Sequence, residues 1–226
     1  TGDDLFVRVL VNKRNVYREE PLVATIKLYS KLNISGLENV DFPNFDGFYK
    51  QEIETKPLRQ LEKENVNGQI YGTGVLKKYL LFPQKSGSIT IQPFEVDCIV
   101  RKKVEEESRS VFDDFFGSYK KARVSIKSEP VRIHVQSLPS DEPDDFTGGV
   151  GSFNMQASLN KNSVETNEGV TLKINISGNG NLKVLEAPSV NFPPALEVYD
   201  PKVSSDINVS ESGATGNKII EYLVIP

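Results

Sequence analysis

The sequence predicts an all-β protein: tandem immunoglobulin-like β-sandwich domains, the second incomplete towards its C-terminus. Three observations carry that expectation. Apolar residues alternate with a period of two in short runs. Turn residues, among them 13 Pro and 16 Gly, interrupt those runs too often for long helices. The second half of the chain also repeats the first.

In chain order, Leu5-Phe6-Val7-Arg8-Val9-Leu10-Val11 is β-branched and partly alternating. Leu22, Ala24, Ile26 and Leu28 share one face of the next strand, with Val23, Thr25, Lys27 and Tyr29 on the other. Lys77 to Phe82 reads as a strand whose hairpin turn is Pro83 to Gly87, with the return starting at Ser88. On that return Ile89 and Ile91 hold one phase, and Phe94, Val96, Cys98 and Val100 the other. The slip falls at Gln92-Pro93 and predicts a bulge or break, because Pro cannot donate to a ladder. Val131, Ile133 and Val135 oppose Arg132 and His134; Val170, Leu172, Ile174 and Ile176 oppose Thr171, Lys173 and Asn175.

The repeat sets the domain organisation. Asn15 to Leu22 resembles Ser163 to Val170, with Val16 and Glu20 matching Val164 and Glu168 at a constant offset of 148. Tyr79 to Pro83 resembles Tyr222 to Pro226. The first copy runs on past Pro83 to a strand ending near Val135, whereas the second stops at Pro226; the second sandwich is therefore expected to lack its last strands and to expose a sheet edge. The expected units are a sandwich over 1–137 with an insertion at 105–122, a linker over 138–150, and a second sandwich over 151–226. Leu138-Pro139-Ser140-Asp141-Glu142-Pro143-Asp144-Asp145 is Pro-rich and acidic, hence extended, and allows the units to move unless they bury apolar surface together.

Composition excludes several function classes. The chain has 226 residues, is 38% hydrophobic and carries a net charge of −4, so no basic excess exists to neutralise a nucleic-acid backbone. A single Cys and a single His leave no disulfide framework, no Cys-rich or His-rich metal site, and little acid–base chemistry. No cofactor is implied. His134 reads as an outward-facing strand residue, and Cys98, in phase with Phe94, Val96 and Val100, as a buried small hydrophobe rather than a redox sensor. Gly178-Asn179-Gly180-Asn181 reads as a turn that could present Leu182 and Lys183 at a domain end. The pairs Asp113-Asp114 and Asp144-Asp145 read as solvated loops.

The insertion is the one segment where function competes with structure. Val111, Phe112, Phe115, Phe116 and Tyr119 have the spacing of a short amphipathic helix ended by Gly117. They either cap the open end of their own sandwich or form an aromatic docking patch for a protein partner. Carbohydrate binding is the alternative; without Trp it would need Tyr17, Tyr71 and Tyr119 as ring platforms.

Several segments together resemble the BatD family of bacterial exported proteins: VFDDFFG (Val111 to Gly117), SEPVRIHVQSLP (Ser128 to Pro139), DFTGGVGSF (Asp145 to Phe153), SGNGNLKVLEAP (Ser177 to Pro188), LEVYDPK (Leu196 to Lys202) and EYLVIP (Glu221 to Pro226). The resemblance implies a periplasmic, envelope-located protein with tandem immunoglobulin-like domains and an inner-membrane anchor outside this chain. It also implies an association with oxygen tolerance in Bacteroides. The partners it implies are von Willebrand A-domain membrane proteins of the BatA and BatB kind and, indirectly, a MoxR-type ATPase. It brings no catalytic residues.

Overall fold

The computed structural model describes residues 2–103 and 119–226, and every regular element among them is a strand. One five-stranded antiparallel sheet holds β1 (Leu5–Val11), β3 (Leu22–Ser30), β7 (Gln69–Pro83) and β5 (Phe48–Ile53) in that order, with β6 (Glu62–Val66) on β7. Facing it are two three-stranded sheets. One runs β10 (Tyr119–Lys127), β9 (Glu95–Lys103), β4 (Ile34–Asp41); the other runs β2 (Asn15–Tyr17), β11 (Val131–Gln136), β8 (Gly87–Ile91). The alternating residues meet between the layers: Leu5, Val7, Val9, Leu22, Ala24, Ile26 and Leu28 on one side, with Ile91, Val96, Cys98, Val100 and Ile133 on the other. Sandwich packing follows because each sheet has one apolar face to bury.

The hairpin expected at Pro83 to Gly87 is not there. The strand before it pairs with β3, β5 and β6, whereas β8 pairs with β11, so this connection crosses between layers. The reason is the apolar run Leu80-Leu81-Phe82, buried on both faces and fixed between β3 and β5 with no edge left for a return strand. The phase slip at Gln92-Pro93 does mark a break: there the chain leaves the β8 sheet and enters the β9 sheet.

The second half forms a single five-stranded sheet of β12 (Gly151–Leu159), β13 (Val170–Gly180), β16 (Gly213–Ile225) and β14 (Glu197–Val198), with β15 (Lys202–Ser210) on β16. Ile174, Ile176 and Ile220 are buried on one face beneath Leu182 and Leu185, while Lys173, Asn175 and Glu221 lie on the other.

The repeat holds down to single hydrogen bonds. The Val23 N–H donates to Asn12 Oδ1 over 2.8 Å, and 148 residues later the Thr171 N–H donates to Asn160 Oδ1 over 2.8 Å. Glu20 pairs with Lys13 and accepts from the Tyr17 N–H; Glu168 pairs with Lys161 and accepts from the Glu165 N–H. Glu19 and Asn167 both take positive φ, at 64° and 67°, and their N–H groups donate to the carbonyls of Pro83 and Pro226. Each half thus closes the entry to its second long strand with the same Asx and carboxylate locks.

The halves also touch. Val23, Ile53, Leu80 and Phe82, on the outer face of the first sheet, form one apolar cluster with Ala214, flanked by Tyr49, Ile207 and Val209. Lys78 pairs with Glu211 at its border. The condition for restricted movement is therefore met at this joint.

Candidate interaction surface

The β9–β10 hairpin is the base of the insertion. Its register runs from Glu95 opposite Lys127 to Lys103 opposite Tyr119, and the Arg101 N–H donates to the Asn33 carbonyl at the β3–β4 turn. Residues 104–118 join these paired ends. Val111, Phe112, Phe115 and Phe116, and the helix expected of them, lie outside the described residues. Tyr119 opens β10, and residues 119–122 are strand rather than insertion, because Ala122, Val124 and Ile126 alternate onto the core with period two.

The outer side of this hairpin is polar. Arg123 and Glu38 form an ion pair at 2.5 Å. Hydrogen bonds from Ser125 and Asn39 hold the Asp97 carboxyl below its ordinary value. Cys98 points the opposite way. It is fully buried, and desolvation, with the Asp97 charge beside it, pushes its thiol up to about 11. A thiol held protonated in an apolar core is the reverse of a sensor. His134 is exposed on β11, as its phase predicts, between buried Ile133 and Val135.

Two expectations are corrected. Gly178-Asn179-Gly180 is not a turn but the end of β13, and Leu182 is fully buried instead of presented. The reason is Asn181. Its Oδ1 accepts from the Val150 N–H and its Nδ2 donates to the Gly148 carbonyl, which ties the linker to the sheet and turns Leu182 inward. The sugar platform fails at Tyr71, which is 5% exposed and edge-on to Phe6. Phe6 stacks on Tyr29 at 4.8 Å, and the Tyr71 hydroxyl donates to the Asp3 carbonyl over 2.7 Å. Arg8 and Lys31 lie over these rings at 4.7 and 4.9 Å, so the faces a sugar would need are taken. Tyr17 is exposed, on the separate strand β2.

Sequence reasoning missed the aromatic–cation cluster and the joint. The second had a signal: Leu22-Val23-Ala24 and Leu80-Leu81-Phe82 are continuous apolar runs, the pattern of strands buried on both faces.

Free edges complete the surface. Among the edge strands of six or more residues, β12 is nine residues long and carries no charged side chain, whereas β1, β4, β5, β10 and β15 each carry at least one. Met155 and Leu159 are more than half exposed on it. Among the described residues no group of three or more His, Cys, Asp or Glu gathers in a metal-binding arrangement.

A family model described as the BatD DUF11 like domain matches residues 157–226, the second of the two repeats whose shared locks are given above. Over that segment the chain carries the domain of the BatD family. The matched segment takes in the C-terminal end of β12, from Ala157 to Leu159, and all of β13 to β16. No curated protein and no solved structure matches the chain. No helix among the described residues is long and apolar enough to cross a membrane.

Proposed function

We propose that this chain is a non-enzymatic interaction scaffold of the bacterial envelope, part of a BatD-like protein associated with oxygen tolerance, that holds protein partners through its Phe-rich insertion, domain-end loops and sheet edges. The observation that carries this reading is the base of the insertion. A nine-pair ladder, from Glu95–Lys127 to Lys103–Tyr119, pins both ends of a segment holding Phe112, Phe115 and Phe116. Aromatic anchors dominate interface energies. The partner class is a von Willebrand A-domain membrane protein of the same envelope, with a MoxR-type ATPase acting through it.

The test is binding of the purified chain to the purified A-domain protein, before and after the double change Phe115→Ser, Phe116→Ser. The expected outcome is an unchanged thermal midpoint with affinity reduced at least about 30-fold, the loss of one hot spot of about 2 kcal/mol. Unfolding of the double variant would assign these rings to a cap on their own sandwich. Unchanged affinity would remove the insertion from the interface.

A further inference from the structure

The two repeats furnish equivalent outer faces differently. In the first, Phe6 lies opposite Tyr29 and Arg8 opposite Lys27, and the four close on one another. Phe6 stacks on Tyr29, Arg8 lies over Phe6, and Lys27 lies over Tyr29 at 5.4 Å. The offset of 148 carries those positions to Asn154, Ser177, Gln156 and Asn175, which pair across β12 and β13 in the same register. β16 and β15 extend both rows. Asn154, Ser177, Asn217 and Asp206 form one, and Gln156, Asn175, Ile219 and Ser204 the next. All eight share the face turned away from Ile174, Ile176 and Ile220, and none of them is buried.

Amides and hydroxyls dominate this array, and the protein itself makes little use of them. Among the described residues, the side chains of Asn154, Gln156, Ser177, Asn217 and Ser204 make no hydrogen bond. Asn175 Oδ1, between Gln156 and Ile219, is shut off from water and accepts none. Each amide offers an acceptor and two donors, and each hydroxyl offers both roles. Fixed on paired strands, such groups recur about every 7 Å along a strand and about every 5 Å across the sheet. The charged residues of these rows and of the adjoining one, Asp206, Glu221, Lys173 and Lys202, cancel.

We propose that this outer face binds a neutral, extended glycan chain by hydrogen bonds alone. Cancelled charge gives no attraction for a polyanion. No Trp, Tyr or Arg stands in the two rows to anchor a protein, and interface hot spots are drawn from those residues while Ser is scarce among them. Sugar hydroxyls donate and accept at close intervals, which paired rows of Asn, Gln and Ser can answer. A hydroxyl also supplies the donor that Asn175 Oδ1 lacks, and an acceptor left unpaired is costly. Paired strands hold these groups in place before the ligand arrives, which lowers the ordering cost of binding. None of Tyr17, Tyr71 and Tyr119 takes part, and the site is independent of the insertion.

The test is an NMR titration of the purified chain with cellohexaose, xylohexaose and chitohexaose. At least one is expected to bind with a Kd on the order of 1 mM or tighter, moving amide resonances along β12, β13, β15 and β16. Asn154→Ala combined with Asn217→Ala should weaken that binding at least about tenfold, since several neutral hydrogen bonds go. The thermal midpoint should not move, because both side chains are exposed and make no hydrogen bond among the described residues. Tyr17→Ala should leave binding unchanged. Should the double variant not fold, Ser204→Arg on the edge strand β15 is read in its place, with the same expected loss. Binding by none of the three sugars overturns the proposal. So does binding that survives the array variants, or that is lost with Tyr17→Ala, which would assign it to a ring. A dimer of the chain that the array variants dissociate overturns it too, by giving the face to a second copy.

Discussion

Asn12 and Asn160 do the same work at unequal depth. Each side-chain carbonyl receives the N–H of the second residue of a long strand, the former at a part-buried site and the latter at an exposed one. Leaving a buried donor unpaired costs about 1–3 kcal/mol, whereas an exposed one finds water. Asn12→Ala is therefore expected to lower stability by about 1–3 kcal/mol and Asn160→Ala by less than about 1 kcal/mol, read by urea unfolding. Cys98 makes the second prediction at this scale. Its folded thiol stays protonated up to about 11, while in the unfolded chain it ionises near its ordinary value of 9.0. The unfolded state thus binds fewer protons above that value, so this group's contribution to stability is intact below about pH 9 and is lost as pH rises towards 11. Cys98→Ala should flatten that part of the pH–stability curve. A thiol reagent should label the native protein no faster than it unfolds; rapid native labelling would contradict the buried assignment.

Among the elements, β13 depends on a close approach of backbones. A Cβ on Gly178, at φ 156°, would stand 2.1 Å from the Ser152 carbonyl oxygen. Backbone cannot yield as a flexible side chain does, so Gly178→Ala should part β12 from β13 and cost at least about 2 kcal/mol. Gly74 offers a contrast, since a Cβ there meets the tip of Leu58 at 2.5 Å. Circular dichroism melts of both variants check the order, with Gly178→Ala the more damaging. These elements were largely legible in the sequence, because a period of two reports directly which side chains a strand turns inward. β1, β3, β11 and β13 all carry their alternation in plain view. The connection after Pro83 was not legible: a turn-like Pro-to-Gly segment between two apolar runs suits a hairpin and a crossover equally. Only the capture of β7 between β3 and β5 decides between them.

For the whole molecule, the joint governs how the repeats are held. Ala214 sits in the cluster of Val23, Ile53, Leu80 and Phe82, with Lys78–Glu211 at its rim. Ala214→Glu places an unpaired carboxylate among those side chains and should release the two halves without unfolding either. The expected readout is a larger radius of gyration in small-angle scattering and faster proteolysis within 138–150, at an unchanged first-unit melting transition. An unchanged radius would show that the linker contacts alone, such as Asn181 with Val150 and Gly148, hold the halves. Of the candidate site, the strand flanks were legible in the sequence, while the Phe-rich residues expected between them lie outside the described residues. The sequence did not supply the outer-face cluster of Phe6, Tyr29 and Tyr71, whose rings come from three strands far apart in the chain.

The sequence by itself determined the all-β class, the duplication and its offset, the inward phase of Cys98 and the outward phase of His134. All of these are local or periodic properties, written along the chain at the scale of a strand. The tertiary structure alone decided which strands share a layer, that Val23, Leu80 and Phe82 face the other repeat rather than water, and that Met155 is bare where its counterpart Val7 is covered. Those outcomes depend on which surfaces meet across long sequence separations, and alternation says which face of a strand is apolar without saying what will cover it.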